Sequence, residues 1–231
     1  MKTLFVASDR REIEPWVARW QNVRPVNLPV HWARTGSHQG CEMLAIANGI
    51  GQERAAAAVE AAVRADGSLS AVWSIGTAGA LDPFLAVADV IAATEVTDGG
   101  QTWQANAPAG PPVRSGLVRT SQHVARTSVE KKNLHATGAI IVEMEAAAVA
   151  RAASEMAVPF YCVRGVTDHA NETFFIDFES FFMPNGTLNV PRLVVYALAH
   201  PMDALPELIR LQRRSSLAAK RLAGFLAACH F

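Results

Sequence analysis

Short apolar segments alternate along this chain with longer segments rich in alanine and charged residues, and this alternation constrains the fold most strongly. Residues 3–8 (TLFVAS) are mostly apolar up to a polar turn, whereas 52–65 (QERAAAAVEAAVRA) combine high helix propensity with charges on one side. Strands that are apolar along their whole length are typical of parallel sheets covered by helices on both faces. The pattern therefore predicts an α/β fold with a largely parallel, buried sheet.

The same criteria place the remaining elements. Strands are expected at 3–8, 42–51, 69–81, 88–98 and 158–168, and helices at 52–65, 144–157 and most of 192–228. The strand 69–81 should end in a loop of small residues, the strand 158–168 should break at Gly165, and Pro201 and Pro206 should interrupt the last helical stretch. The Gly/Pro-rich segment 99–113 is expected to be a functional or mobile loop. No shift in composition divides the chain, so residues 1–231 should form one domain.

Composition argues against several classes of protein. Half of the 231 residues are hydrophobic, and 21 basic residues balance 21 acidic ones, so no global charge points to nucleic acid. The three cysteines are widely spaced and form no CxxC, which favours a reducing cytoplasm over a disulfide framework. The seven histidines show no HExxH spacing, so no metal site is expected. Neither a signal peptide nor a membrane-spanning helix is indicated.

Ligands of open α/β sheets bind at the carboxyl ends of the strands, and four places in this sequence meet that criterion. They are Glu12, the glycine segments 48–51 and 76–79, and Asp168. Each also has a structural interpretation. Glu12 could be a solvated charge in a first helical turn, the two glycine segments could be tight turns, and Asp168 could be a turn or capping residue. Neither glycine segment is a Walker or Rossmann fingerprint.

The run 140–149 (IVEMEAAAVA) carries two carboxylates, Glu143 and Glu145, in surroundings that resemble a core. A core rejects an unpaired charge, so these side chains either reach water or bind something. A helix that begins near Glu145 would have a positive N-terminal dipole, which favours a carboxylate there. The two glutamates are expected to have different roles.

Three segments carry a resemblance to a known family. Residues 142–171 (VEMEAAAVARAASEMAVPFYCVRGVTDHAN) agree with a pattern of the nucleoside phosphorylase/nucleosidase superfamily, and NGIG (48–51) and SIGTAGAL (74–81) resemble two further segments of it. The chain is most similar to the methylthioadenosine/S-adenosylhomocysteine nucleosidases and the hopanoid-associated phosphorylases. The resemblance implies a three-layer αβα sandwich around a central mixed, largely parallel twisted sheet. It also implies cleavage of the N-glycosidic bond of a purine nucleoside, with adenine as the base.

Residue roles follow from the same resemblance. Glu145 would bind the ribose hydroxyls with Met144 packed under the sugar, Asp168 would protonate purine N7, and Glu12 would activate water. Glu143 is assigned to substrate binding with a structural role as its alternative. The other residues expected to bind substrate are Ile50, Thr77, Ala78, Gly79, Val124 and Phe178.

The resemblance leaves several points open. Asp168 must be protonated at neutral pH to act as an acid, which burial favours. The phenylalanine-rich segment 174–182 (FFIDFESFF) would keep that acid dry, or would be a core helix. The segment 118–126, which usually supplies the aromatic residue that stacks on the base, offers only His123. Because the match at SDRRE needs one inserted residue, Glu14 is an alternative to Glu12.

The nucleophile is water or inorganic phosphate, and no other co-substrate or cofactor is expected. Glu12 favours water. Arg10, Arg11 and Arg34 would suit a phosphate.

The C-terminal part, from about residue 185, is divergent and resembles that of the hopanoid-associated phosphorylases, which remove adenine from adenosylhopane. Its basic and apolar character suits peripheral contact with a membrane, or simple docking on the sheet with the arginines in water. The family resemblance implies a homodimer or larger homo-oligomer in which 99–113 closes a neighbouring pocket. A catalytically silent nucleoside-binding protein on the same fold is the alternative to an enzyme.

Overall fold

A computed structural model describes residues 1–231, apart from the side chain of Asp66. The strands are β1 (Lys2–Ala7), β2 (Gln21–Pro25), β3 (Trp32–His38), β4 (Cys41–Ala47), β5 (Leu69–Ala80), β6 (Val90–Thr97), β7 (Thr102–Gln104), β8 (Arg114–Thr120), β9 (Ala139–Glu143) and β10 (Phe160–Asp168). The helices are α1 (Arg10–Val17), α2 (Gln52–Asp66), α3 (Ser128–His135), α4 (Ala146–Glu155), α5 (Val190–Ala199) and α6 (Ala204–Ala227).

Strand β5 is the centre of one mixed sheet. It pairs in parallel with β1 and β10 and, at its far end, antiparallel with β9. From β10 the pairing continues through β6 and β8 to β9, so these five strands close into a ring, while β1, β4, β3 and β2 extend from it as an open sheet. The mixed central sheet expected from the sequence is confirmed, with parallel pairing at its centre.

Helices cover both faces of the open part of the sheet. Leu4 and Val6 of β1 pack in one apolar core with residues of α2 and α4, whereas Phe5 and Ala7 face a second core with residues of α1 and α6. This division follows from the period of two residues in a strand, which sends successive side chains to opposite faces. The three-layer arrangement is therefore confirmed.

Two strands run without the interruptions that the sequence predicted. β5 continues through the small residues 76–79, where a loop was expected, because Gly79 and Ala80 pair with Val142 and Ile141 of β9. β10 does not break at Gly165, which pairs with residues of both β5 and β6. Glycine has a different function at position 165: a Cβ there would lie 2.9 Å from the carbonyl oxygen of Ala218 in α6.

Other segments also differ from the sequence-based expectation. FFIDFESFF (174–182) is not a core helix but an irregular segment with a 3₁₀ turn at Phe178–Phe181. Pro206 lies in the first turn of α6, where proline is tolerated, and only Pro201 lies between two helices. The segment 99–113 contains the short strand β7, and His230 donates its amide hydrogen to the Ala109 carbonyl at 2.7 Å.

The C-terminal part docks on the sheet. Leu222 and Leu226 of α6 are fully buried in the core that α6 shares with α1, while Arg213 and Arg221 are exposed. Helix α5 differs, because Val195 and Leu198 are 68% and 61% exposed. Within the described residues, no helix is both long enough and apolar enough to cross a membrane. Peripheral contact with a membrane stays a prediction.

The close approach of β10 to α6 makes Gly165→Ala a test of the packing. The added methyl group would overpack this crossing and is expected to lower the free energy of unfolding by about 1–3 kcal/mol, measured by urea denaturation. Gly224→Ala in α6 is the matched control, because a Cβ there meets nothing within 4 Å. Alanine should stabilise that helix position by up to about 1 kcal/mol. Equal effects at both positions would contradict the packing argument.

Candidate functional site

Glu12, Glu145 and Asp168, although far apart in the sequence, converge on the carboxyl-terminal half of β5. Oε1 of Glu12 accepts hydrogen bonds from the Thr77 amide at 2.9 Å and from the Thr77 hydroxyl at 2.6 Å. Oδ2 of Asp168 lies 3.0 Å from the place that a Cβ at Gly79 would take. Glu145 is connected to Glu12 through the glycine segment: the Gly51 amide donates to Glu145 at 2.8 Å, the Gly49 amide donates to the Ser8 carbonyl at 2.8 Å, and the Ser8 hydroxyl donates to Glu12. The structure thus brings the three acidic residues expected from the sequence into one site.

Glu12 is directed into the protein by the start of α1. Asp9 caps this helix, and Glu12 at its third position accepts from the Asp9 amide at 3.3 Å and the Ser8 hydroxyl at 2.8 Å. Gly76 has φ of +152°, and a Cβ there would meet Oε2 of Glu12 at 3.0 Å, so glycine is needed opposite this carboxylate. The interpretation of Glu12 as a solvated charge is wrong.

The alternative residue, Glu14, does not occupy this place. It lies two residues further along α1, about 200° around the helix axis from Glu12, and it is exposed. The alternative that Glu14, and not Glu12, activates the water is therefore wrong.

Glu143 forms a buried ion pair with Arg164, and both side chains are 1% exposed. Nη2 of Arg164 donates to Oε2 of Glu143 at 2.6 Å and to the hydroxyl of Ser74 at 2.8 Å. The Thr120 hydroxyl donates to the other carboxylate oxygen of Glu143. Because Glu143 is enclosed and bonded through both oxygens, the expectation that it binds substrate is wrong, and its structural alternative is the one observed.

Glu143 also caps α4. Its Oε2 accepts from the amides of Glu145 and Ala146 at 2.9 and 2.8 Å. The sequence correctly predicts a helix that begins near Glu145, but the carboxylate at its positive end belongs to Glu143. Glu145 is therefore left to face the site.

The carboxyl group of Glu145 connects α4 with the glycine segment after β4. Its Oε1 accepts from the Gly51 amide at 2.8 Å, and the neighbouring Ile50 amide donates to the Gly186 carbonyl at 2.7 Å. Burial, and to a lesser degree the nearby charge of Glu143, raise the pKa of Glu145 to about 8. This shift favours the protonated carboxyl group at neutral pH, which can both donate and accept hydrogen bonds.

Lys131 is the residue that sequence reasoning missed. Its Nζ lies 2.5 Å from Oδ2 of Asp168 and donates to the His169 carbonyl at 2.9 Å, and its side chain is 1% exposed. The two side chains therefore form a buried pair at the end of β10, and the role of Asp168 as an acid stays a prediction. The capping pattern Thr127-x-x-Glu130 signals α3, but nothing in the sequence aims Lys131 at Asp168.

Aromatic residues on the Asp168 side come from the segment after β10. Phe178, expected from the sequence, packs edge-on against Phe174 with ring centroids 6.0 Å apart, and Lys131 Nζ lies 4.8 Å from the Phe174 centroid. His123 is not buried in the site but contacts Glu179 with 79% of its side chain exposed. Glu179 also accepts from the Val124 amide, which ties 123–124 to this segment. Phe174 begins the phenylalanine-rich segment 174–182, which the sequence analysis expected to keep Asp168 dry.

The remaining expected residues lie beside these groups. Thr77 binds Glu12, Gly79 adjoins Asp168, and Met144 is half-buried between the two glutamates of the β9–α4 connection. The Thr167 hydroxyl joins the Ala78 carbonyl, at 3.2 Å, to Oδ1 of Asp168, at 2.7 Å. Among the described residues, no group of three or more His, Cys, Asp or Glu is arranged to hold a metal ion.

The arginines considered for phosphate are engaged elsewhere or exposed. Arg11 binds both oxygens of Asp9, at 2.9 and 2.6 Å. Arg34 donates to the Ala33 carbonyl at 2.8 Å and lies over the Trp32 ring at 5.1 Å. Arg10 is exposed.

Comparison with known proteins agrees with the family resemblance found in the sequence. A model of the phosphorylase superfamily matches residues 22–115 and 101–199. The 5′-methylthioadenosine/S-adenosylhomocysteine nucleosidase of Lysinibacillus sphaericus is 24% identical over 230 residues, covering 86% of this chain and 99% of that protein. The match therefore spans nearly the whole relative.

Solved structures share the fold at low sequence identity. The corresponding nucleosidase of Neisseria meningitidis, in complex with methylthio-immucillin-A, has a TM-score of 0.74 at 22% identity and covers 98% of this chain and 97% of that one. Futalosine hydrolase of Helicobacter pylori has a TM-score of 0.72 at 16% identity, with 99% and 96% covered.

Glu143→Gln tests the buried ion pair. The change keeps the size of the side chain but leaves the Arg164 guanidinium buried without a counter-charge. We expect the free energy of unfolding to fall by about 3–5 kcal/mol in urea denaturation. The control is Glu60→Gln, which removes the exposed pair with Arg64 and should cost less than about 1 kcal/mol. A small loss in both variants would show that the buried pair does not hold the site together.

Glu145→Gln tests the protonation of Glu145 through stability. A glutamate in the unfolded chain has its ordinary pKa of 4.5, whereas the pKa of Glu145 in the folded protein is about 8, so the folded state binds the extra proton between these values. Its stabilising contribution is complete below pH 4.5 and is lost as pH rises towards 8, by up to about 1.4 kcal/mol per pH unit. Urea denaturation at several pH values should show this slope in the wild type and its loss in the variant. Parallel pH dependences would contradict a neutral Glu145.

Proposed function

The chain belongs to the phosphorylase superfamily, and from this premise we propose that it is a nucleosidase that hydrolyses the N-glycosidic bond of a purine nucleoside. The observation that carries the proposal is the convergence of Glu12, Glu145 and Asp168 on β5. Hydrolysis of such a bond needs a base for water, a group for the sugar and a proton for the leaving purine. The site offers one residue for each.

The geometry suits a reaction in which positive charge develops on the sugar and negative charge on the base. Glu12, held by Thr77 and Ser8, would take a proton from the attacking water. Glu145 would bind the ribose hydroxyls, with Met144 beneath the ring. Asp168 lies beside Gly79, where the purine would leave. General acid or base assistance of this kind contributes about 10²–10⁴ in rate.

Water is the proposed nucleophile. Arg11 and Arg34, the residues considered for phosphate, bind Asp9 and Ala33 instead, while Glu12 is surrounded by hydroxyl and amide donors. The relative from Lysinibacillus sphaericus is a nucleosidase by name, which supports the same choice.

Among purine nucleosides, we place the adenine nucleosides first, because that relative is a methylthioadenosine/S-adenosylhomocysteine nucleosidase. A substrate with a large apolar 5′ group, such as adenosylhopane, stays a prediction from the C-terminal resemblance. The homo-oligomer and the role of 99–113 in a neighbour's pocket also stay predictions. A silent binding protein would not require Glu12, because no water would need to be activated.

Release of the free base is the test. Purified protein is incubated with methylthioadenosine, adenosine and inosine, with and without phosphate, and the bases are separated by chromatography. We expect release without phosphate, a loss of about 10²–10⁴ in rate for Glu12→Gln, and no change for Glu14→Gln, since Glu14 faces outward.

Three results would contradict the proposal. No base released from any purine nucleoside would favour the silent binding protein. Release only with phosphate would identify a phosphorylase. Equal activity of Glu12→Gln and Glu14→Gln would remove Glu12 from the reaction.

A further inference from the structure

Helix α6 directs two charged side chains at the segment that follows Asp168. Glu207 lies in the first turn of α6, and Arg214 lies seven residues further along. Seven residues are close to two helical turns, so both side chains leave the same face of the helix. Both bind residues of the segment 172–176, which leads from β10 to the 3₁₀ turn. One face of α6 therefore contacts this segment at two places.

Glu207 is bonded through both carboxylate oxygens to the backbone of the segment. Oε2 accepts from the Phe175 amide and Oε1 from the Ile176 amide, each at 2.9 Å, and Glu207 is 4% exposed. The two amides lie in irregular backbone between β10 and the 3₁₀ turn. A buried N–H group without an acceptor costs free energy. Glu207 thus supplies the acceptors that a helix or strand would otherwise provide.

Arg214 holds the beginning of the same segment. Its Nη1 donates to both oxygens of Glu172, at 2.7 and 2.8 Å, and both side chains are partly exposed. The Glu172 amide donates to the His169 carbonyl at 3.1 Å and so closes the turn after β10. This ion pair therefore joins α6 to the turn that begins directly after Asp168.

The two contacts determine where the aromatic side chains beside Asp168 lie. Phe174 directly precedes the amides that Glu207 holds, and its ring packs against Phe178 and lies near Lys131 Nζ. The Phe174 amide donates to the Arg126 carbonyl at 2.9 Å, and Nε of Arg126 donates to the Phe174 carbonyl at 3.1 Å. The aromatic segment is therefore held from one side by the residues before α3 and from the other side by α6.

We propose that Glu207 and Arg214 are positioning residues for nucleoside binding, which hold Phe174 and Phe178 beside Asp168 before the substrate arrives. This inference rests on the proposed nucleosidase function and gives α6 a part in it. Both residues act through the segment 172–178 and not by contact with the reacting atoms. A segment that is already ordered in the free protein loses less conformational entropy when the ligand binds.

The neighbouring charge of Arg210 does not account for the buried carboxylate of Glu207. Nη2 of Arg210 lies 3.6 Å from Oε2 of Glu207, which is beyond hydrogen-bonding distance, and its side chain is 43% exposed. A pair with so exposed a member contributes little to stability. Arg210→Met removes this charge and leaves both amide bonds intact, so it separates the two contributions.

Glu207→Gln tests the proposal through KM and kcat for base release from methylthioadenosine. Glutamine keeps the size of the side chain but turns one acceptor into an NH₂ donor, which faces one of the two amides. A wall of the pocket would contact the nucleoside before and during the reaction, so loosening it weakens binding without slowing the chemical step. We expect KM to rise about 10-fold or more and kcat to stay within about 3-fold of wild type. Arg210→Met is the control and should keep both values.

Arg214→Met is a second variant, in case Glu207→Gln does not fold. It removes a partly exposed ion pair and leaves no buried amide unpaired, so a folded protein is expected, checked by its melting temperature. Its KM should rise by about 2–5-fold. In both variants, peptides from 172–182 should exchange amide hydrogens faster than in wild type, as followed by mass spectrometry, and saturating adenine should slow this exchange again. Peptides from β1 and β4 should be unchanged.

The outcomes separate this inference from the proposed function. If wild type is active but the folded variants keep KM, whatever their melting temperatures, Glu207 and Arg214 are only structural and the inference is overturned. A loss confined to kcat, or an equal rise in KM for Arg210→Met and Glu207→Gln, also overturns it. In each of these cases the nucleosidase function stands. If wild type releases no base from any purine nucleoside, the proposed function is overturned and the positioning role falls with it.

Discussion

The ion pair between Glu143 and Arg164 is the interaction on which the site depends. It is buried at the end of β9 and in the middle of β10, with Ser74 of β5 and Thr120 of β8 as hydrogen-bond partners. Four strands of the ring therefore meet at one carboxylate and one guanidinium. Removing either charge would leave the other uncompensated in a dry interior, so the geometry is tightly specified.

This pair positions the groups of the site on both sides of β5. On one side, Glu143 holds the first amides of α4 and thereby places Glu145 beside Gly51. On the other side, Arg164 holds β10 in place. Asp168, four residues further along at the end of this strand, contacts Lys131. Between them, Gly76 and Gly79 leave room on β5 for the carboxylates of Glu12 and Asp168. A single buried contact thus sets the spacing of groups that approach from several elements.

Secondary-structure elements could be predicted from the sequence, whereas contacts between residues far apart in the chain could not. The apolar strands and the alanine-rich helices are periodic, so their type and order follow from local patterning. Glu12 and Asp168 were found at predicted strand ends and Glu145 in the charged run 140–149, and the family resemblance linked the three. Lys131 was not predicted, because its distance to Asp168 is a tertiary property of α3 and β10. Gly165 shows the same limit: as a sequence symbol it suggests a break, but its role is to let a helix approach a strand.

The hydrogen bond from Ile50 to Gly186 has a consequence for the order in which this chain can mature on a ribosome. β1, β4 and α2 are complete early in synthesis, at roughly 5–20 residues per second, and can pack on one another at once. In the glycine segment beside them, the Gly49 amide already has the Ser8 carbonyl as its partner. The Gly51 amide needs Glu145, and the Ile50 amide gains its partner only after residue 186 has been made. The N-terminal third of the nascent chain therefore carries Glu12 and the glycine segment before their partners from later in the sequence exist. We expect these contacts to be complete only after the chain up to residue 186 has left the exit tunnel.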